Sequence, residues 1–330
     1  MQKITQSEKN SVILKNSNEP NDSLVTVARL ILGGDCVAVP TETVYGLAAN
    51  ALDEKAVRKI FEIKGRPLID PLIVHIYDIE SAKTISHFSA LAEKIAEKFW
   101  PGPLTIVLPK KEIVPSIVSA NLNTVAVRMP KHPLMRALLK ECKVPLAAPS
   151  ANPFGYVSPT KAEHVQAQLG VKLKAILDGG QCSCGLESTI ISLVDENKIS
   201  ILRHGPIAQE EIEDFLKIKL ITPEKNPARP EAPGMMKQHY SPNAKFSLFD
   251  GEKNIAENFD GAVIFIKKPA EVKSNYYWLS EDGNLEKAAF SLFDLIRSCD
   301  NTYKNILCEK AKGQGIALAI NDRLSRASAK

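Results

Sequence analysis

From Ser23 onward, apolar residues recur first at helical and then at strand spacing. Leu24, Val27, Leu30 and Ile31 share one helical face behind a Ser23 cap, and Gly33-Gly34 ends the run. Residues 36–39 form a short apolar strand closed by Pro40. Asp53 next caps a helix carrying Val57, Ile60 and Phe61, stopped by Gly65, and residues 72–76 return as strand. The alternation continues with a helix over 91–99, strands near 104–108 and 124–128, a helix after His132 and a strand before Pro149. It closes with a β-pair, 188–194 and 199–203, joined by a polar turn. Strands apolar on both faces call for a sheet covered by helices, so the expected class is α/β.

Between 221 and 243 the pattern breaks at Pro223, Pro227, Pro230, Pro233 and Pro242. Proline fixes φ and removes a donor, so this stretch reads as an extended linker. A smaller α/β unit follows, with strands near Phe246 and over 262–266, a helix over 285–297 and a last helix from Gly315. The expected layout is a mobile polar segment over 1–20, a first domain over 21–220, a linker over 221–243 and a second domain over 244–330.

Composition narrows the class of protein. Of 330 residues, 44% are hydrophobic and 24% charged, as in ordinary globular domains, and the length favours two domains over one. Net charge is only +4, so any basic site is local rather than a broad nucleic-acid face. Six cysteines include Cys182-Ser183-Cys184 but no Cys-x-x-Cys pair, which leaves little for a zinc or redox reading. The polar N-terminus has no leader character and no run is long enough to span a bilayer, so the expected location is the cytoplasm, away from membranes.

Four clusters carry candidate chemistry. Pro40-Thr41-Glu42-Thr43-Val44-Tyr45-Gly46 ends the first strand, where α/β sheets bind ligands; a capped turn is the plainer alternative. Lys64-Gly65-Arg66-Pro67, with Asp70 and then His75, suits a phosphate clamp, or else a solvated helix end. Arg128 and Arg203 each end a very apolar run and so face either a carboxylate of the protein or an anionic ligand. Ser150-Ala151-Asn152, Ser158 and Glu187-Ser188-Thr189 offer hydroxyl and amide groups for phosphate and ribose, although Ser158 also fits a helix cap. The common phosphate-loop, dinucleotide, zinc-protease and serine-hydrolase motifs do not occur.

The run from Pro40 to Leu47, Lys64-x-Arg66 and Ser150-x-Asn152 closely resemble the YrdC-like family of L-threonylcarbamoyladenylate synthases. The proline-rich segment with His239-Tyr240-Ser241-Pro242 and the trailing unit resemble its two-domain form. The resemblance implies a twisted mixed sheet with helices on its faces, plus a smaller Rossmann-like C-terminal domain. It implies condensation of ATP, L-threonine and bicarbonate or CO2 into L-threonylcarbamoyl-AMP and pyrophosphate, the first step of N6-threonylcarbamoyladenosine formation at position 37 of tRNA. By the same resemblance Lys64, Arg66, Ser150 and Asn152 form a catalytic tetrad. Arg66, Asp70, Thr124, Ser150, Ser158, Arg203 and Tyr240 would contact ATP, and Thr43, His75, Arg128, Ala148 and Ser188 would hold threonine. Mg²⁺ would arrive with ATP, held by no protein side chain. Tyr240 would act as a lid, a transferase complex would receive the product, and tRNA contact would be weak. The alternatives are a carbamoyl-adenylate-forming enzyme and an RNA-binding module with a basic concave face.

Overall fold

The computed structural model describes residues 12–15, 20–223, 232–234, 239–251, 255–256 and 259–329. Most of the proline-rich stretch, including Pro227, Pro230 and the run 235–238, therefore lies outside the described residues, as do 1–11 and 16–19.

The first unit is built from β1 (Val12–Lys15), α1 (Pro20–Leu32), β2 (Val37–Val39), β3 (Gly46–Asn50), α2 (Glu54–Lys64), β4 (Ile73–His75), α3 (Ile79–Ile85) and α4 (Ala90–Phe99). It continues through β5 (Leu104–Pro109), β6 (Thr124–Arg128), α5 (Pro133–Cys142), β7 (Leu146–Ala147), α6 (Ala162–Leu169), β8 (Ala175–Asp178), β9 (Thr189–Ser192), β10 (Ser200–Arg203) and α7 (Gln209–Leu216). The strands form one mixed sheet in the order β1-β8-β2-β3-β7-β4-β6-β5-β9-β10. β4 runs parallel to β6 and β5 to β9, whereas β2 with β3, β5 with β6, and β9 with β10 are antiparallel. The expected mixed α/β sheet is thus the observed one.

Local chemistry explains the elements that place the site. Asp53 caps α2 by accepting from the amides of Lys55 and Ala56, and Gly65 ends it at φ 64°. The cation pair Lys64 and Arg66 is therefore delivered at a defined turn. One apolar core packs α2, α4 and α6 on one face of the sheet, and a second packs α1 and α5 on the other.

Several elements depart from the apolar spacing. Val12, Ile13 and Leu14 pair in parallel with β8, so part of the expected mobile segment is an edge strand; a three-residue apolar run is short enough to pass for a polar tail. The first helix begins at Pro20, three residues before Ser23, because proline suits a first helical turn. β3 lies inside the run after Gly46 and pairs antiparallel to β2, turning the Thr41–Val44 segment into the corner of a hairpin.

The second unit contains β11 (Lys245–Phe249), β12 (Ala262–Lys267), β13 (Tyr276–Ser280), α8 (Leu285–Asp300), β14 (Asn305–Glu309) and α9 (Ile316–Ala327). Its sheet is all parallel, in the order β11-β14-β12-β13. Its core takes in Val44, Val157, Leu186 and Tyr240, so the two units share apolar surface next to the hairpin corner. Among the described residues, no helix is long and apolar enough to cross a membrane.

Candidate active site

A cleft opens at the carboxyl ends of β2, β4 and β6 and is lined by Thr43, Arg66, His75, Arg128, Ser188, Arg203 and Tyr240 among others. It falls where open α/β sheets collect ligands. β4 and β6 pair with His75 opposite Arg128, which sets these two side chains at one level.

The hairpin corner is tied by the Thr41 hydroxyl, which accepts from the amides of Thr43 and Val44 and donates to the Val44 carbonyl at 2.6 Å. That turn presents the Thr43 hydroxyl to Arg128, whose Nη1 donates to it at 2.9 Å. Arg128 Nη2 also lies 2.7 Å from the Glu42 carboxylate, and its Nε donates to Gly102 O. Burial works to raise the Glu42 carboxyl, but the Arg128 charge and hydrogen bonds outweigh it and hold it below its ordinary value. Glu42 thereby fixes the direction in which Arg128 points. His75 is buried, and loss of water, with the Arg128 charge beside it, pushes its pKa down to about 3. It is a neutral hydrogen-bonding ring at ordinary pH.

Arg66 folds back on its own turn. Its Nε donates to Asp70 O, its Nη2 to Pro71 O, and Nη2 lies 2.9 Å from the Asp70 carboxylate. Burial pushes the Arg66 guanidinium down and the Asp70 carboxyl up, as it must for two charges taken out of water together. Lys64 takes a different position from the one expected of a phosphate clamp. Its Nζ donates to the carbonyls of Ser150 at 2.6 Å and Asn152 at 2.5 Å, behind the cleft wall, and its own carbonyl accepts from the Phe154 amide. Burial and the nearby Arg66 charge hold its pKa well below the usual lysine value. Asn152 is fully buried, and its amide donates to the carbonyls of Pro153 and Tyr156. The tetrad thus divides into Arg66 and Ser150 on the cleft surface and Lys64 and Asn152 as the frame that shapes the 150–154 loop.

Arg203 closes the opposite wall. Its Nε donates to Ser188 O, its Nη2 to the Ser188 hydroxyl at 3.0 Å, and its Nη1 to Pro233 O of the linker. The Ser188 hydroxyl also meets Thr105 at 2.7 Å. Among the described residues every hydrogen bond of Arg203 goes to a neutral group, and it makes no ion pair. Burial pushes its pKa down to about 10, so it remains a cation near neutral pH. A buried cation without a carboxylate calls for an anion. The roof is Tyr240, buried, with backbone φ 63° and a hydroxyl without a partner among the described residues. Its ring packs edge-on against His239 and stacks on Phe293 of α8.

Nine of the expected site residues therefore meet in one cleft: Thr43, Arg66, His75, Arg128, Ala148, Ser150, Ser188, Arg203 and Tyr240. Asp70 sits behind Arg66, and Ser158 sits behind the wall with its hydroxyl on Glu187 at 2.5 Å. Thr124 is four residues down β6 from Arg128, about 13 Å away along a strand, and does not reach this cleft. Thr41, Glu187, Gly234 and His239 also line it; Thr41 and Glu187 belong to the candidate clusters but carry no assigned ligand contact. For Glu187 the available signal was its place beside Ser188. For Gly234 there was none, because only the folded linker brings it near Arg203.

Two family models match the chain. One, for Sua5, YciO and YrdC and described as telomere recombination, covers residues 29–205. The other, described as the C-terminal domain of threonylcarbamoyl-AMP synthase, covers residues 207–329. The chain is 40% identical to a threonylcarbamoyl-AMP synthase of Pyrococcus abyssi, over 91% of this chain and 92% of that one. It is 39% identical to a Bacillus subtilis protein of the same name, over 95% and 94% of the two chains. The crystal structure of P. abyssi Sua5 complexed with L-threonine superposes with a TM-score of 0.89 at 37% identity, covering 96% of this chain and 98% of that one.

Proposed function

The chain belongs to the Sua5, YciO and YrdC family in its two-domain form, and on that premise we propose that it is a nucleotidyltransferase making L-threonylcarbamoyl-AMP from ATP, L-threonine and bicarbonate or CO2. This is the first step of threonylcarbamoyladenosine formation in tRNA. A separate transferase takes the product onward.

The observation that carries the proposal is the convergence of Arg66, Arg128 and Arg203 on one enclosed cleft, with Arg203 lacking any carboxylate partner among the described residues. Arg128, aimed by Glu42 and Thr43, suits the threonine carboxylate, with Ser188, Ala148 and neutral His75 around it. Arg66, Ser150, Arg203 and Tyr240 line the remaining space and are assigned to ATP, with Asp70 and Ser158 acting from the layer behind. The threonine amine adds to CO2 and loses a proton. The resulting carbamate oxygen then attacks the α-phosphorus in line as the bond to pyrophosphate breaks. No covalent enzyme nucleophile enters, so positioning and charge suffice.

Among the described residues no three His, Cys, Asp or Glu side chains gather as a metal site, and Glu42, Asp70 and Glu187 each face an arginine. Mg²⁺ is accordingly proposed to be held by the nucleotide's own phosphate oxygens, where it neutralises charge. Tyr240 is assigned the role of a lid that keeps water from the hydrolysable product. The buried arginine heads, at 3–6% exposure, sit too deep for the backbone of a folded RNA, which weighs against the RNA-binding alternative.

Purified protein with ATP, Mg²⁺ and bicarbonate is expected to release pyrophosphate only when threonine is added. Equal release with any amino acid, or release without one, would refute the substrate assignment.

A further inference from the structure

We propose that Arg323, on α9 of the second unit, is a positioning residue for the nucleotide half of the active site, acting through Glu187. Arg323 is 1% exposed, and each of its three guanidinium nitrogens donates across the boundary between the two units. Nε donates to the Glu187 carboxylate at 2.8 Å, Nη2 to the Glu187 carbonyl, and Nη1 to the carbonyl of His204 at 2.9 Å, with Asp322 of its own helix beside it. These two targets bracket the site. Glu187 lines the cleft and precedes Ser188; His204 follows Arg203, and Arg203 is itself bonded to Ser188. One side chain from the second unit thus sets the spacing of the two segments that carry Ser188 and Arg203.

Two further contacts extend the hold. The second oxygen of Glu187 accepts from Ser158, whose carbonyl accepts from Arg297 of α8, so both helices of the second unit grip the chain around the Ser158–Glu187 bond. The Arg323 guanidinium also lies 5.3 Å from the centre of the Tyr240 ring and supports the roof from outside. A buried ion pair is a weak adhesive between domains, since apolar packing of the same volume commonly serves as well or better. What an arginine fork adds is direction, because its donors are planar and fixed.

This inference rests on the nucleotide assignment above, and its test is binding rather than turnover, so that the two can fail separately. ATP with Mg²⁺ is titrated calorimetrically into the full chain and into Arg323→Lys, Glu187→Gln and the double variant, with thermal melting run alongside. The expected result is a rise in Kd for ATP on the order of tenfold or more in each single variant, with unchanged stoichiometry. The double variant should be no weaker than the weaker single one, because the two side chains act as a unit. Loss of fold alone would lower the stoichiometry and leave Kd where it was. Unchanged Kd in folded Arg323→Lys, or effects that multiply in the double variant, overturns the proposal. Should Arg323→Lys not fold, wild-type affinity in Glu187→Gln overturns it equally. A wild-type chain that binds ATP yet releases no threonine-dependent pyrophosphate would refute the synthase assignment and leave the positioning claim to these affinities. No ATP binding by the wild-type chain overturns both.

Discussion

Arg66, Arg128 and Arg203 are placed so that each is buried but differently balanced. Arg128 leans on Glu42, Arg66 on Asp70, and Arg203, among the described residues, on neutral oxygens alone. The end of each apolar run already marked two of these arginines in the sequence, but whether each met an internal carboxylate depended on partners far along the chain: Arg128 meets Glu42, and Arg203 meets none among the described residues. With Arg66 assigned to the phosphates, Arg66→Ala is expected to lower turnover on the order of 10²-fold, measured as threonine-dependent pyrophosphate release. Near wild-type turnover would return Arg66 to a structural role. His75 gives a signature in stability instead. Its folded pKa of about 3 lies below the value of about 6.5 in an unfolded chain, so the unfolded state takes up the proton first. Its contribution is full above about pH 6.5 and is lost as pH falls toward 3, at up to about 1.4 kcal/mol per pH unit. Denaturant titrations between pH 6.5 and 5, above the range of ordinary carboxylates, are expected to show a slope to which His239 and His132, also lowered by burial, contribute, and His75→Gln should reduce it by the share of one histidine.

At the scale of elements, the end of α2 does more than present two cations. Gly65 turns the chain so that Lys64 points back to carry the 150–154 loop while Arg66 faces the cleft. Lys64→Met removes that support and is expected to lower stability by about 1–3 kcal/mol along with turnover. Ser150→Ala, on the cleft side of the same loop, should lower turnover with an unchanged melting temperature. Thermal melting paired with kinetics distinguishes the two, and an unaltered melting temperature in Lys64→Met would contradict its role as a frame. The cap at Asp53, the stop at Gly65 and the core face of α2 were legible from the sequence because they are local. The direction of the Lys64 side chain was not, since it is fixed by carbonyls some ninety residues later. β1 and β3 were hidden for a related reason: each is short, and its hydrogen bonds come from remote or antiparallel neighbours rather than from its own spacing.

Across the whole molecule, the mixed sheet and its hairpin corner supply Thr43, His75, Arg128 and Arg203, the linker supplies the roof, Tyr240, and the second unit supplies its supports, Phe293, Arg297 and Arg323. The division into two α/β units could be read from the break at the prolines. That the second unit reaches the cleft could not, because Arg323 looks like any charged position on an amphipathic helix until its partner Glu187 is seen. The shared apolar surface at Val44, Val157 and Leu186 joins the two units beside the cleft. The claim on which all of this depends is the identity of the product. Incubation with ATP, threonine and carbon-13 bicarbonate, followed by mass spectrometry of the nucleotide fraction, tests it most directly. An AMP adduct carrying one threonine and one labelled carbon is expected, formed together with pyrophosphate. An adenylate of threonine without the labelled carbon, or AMP alone, would contradict the account.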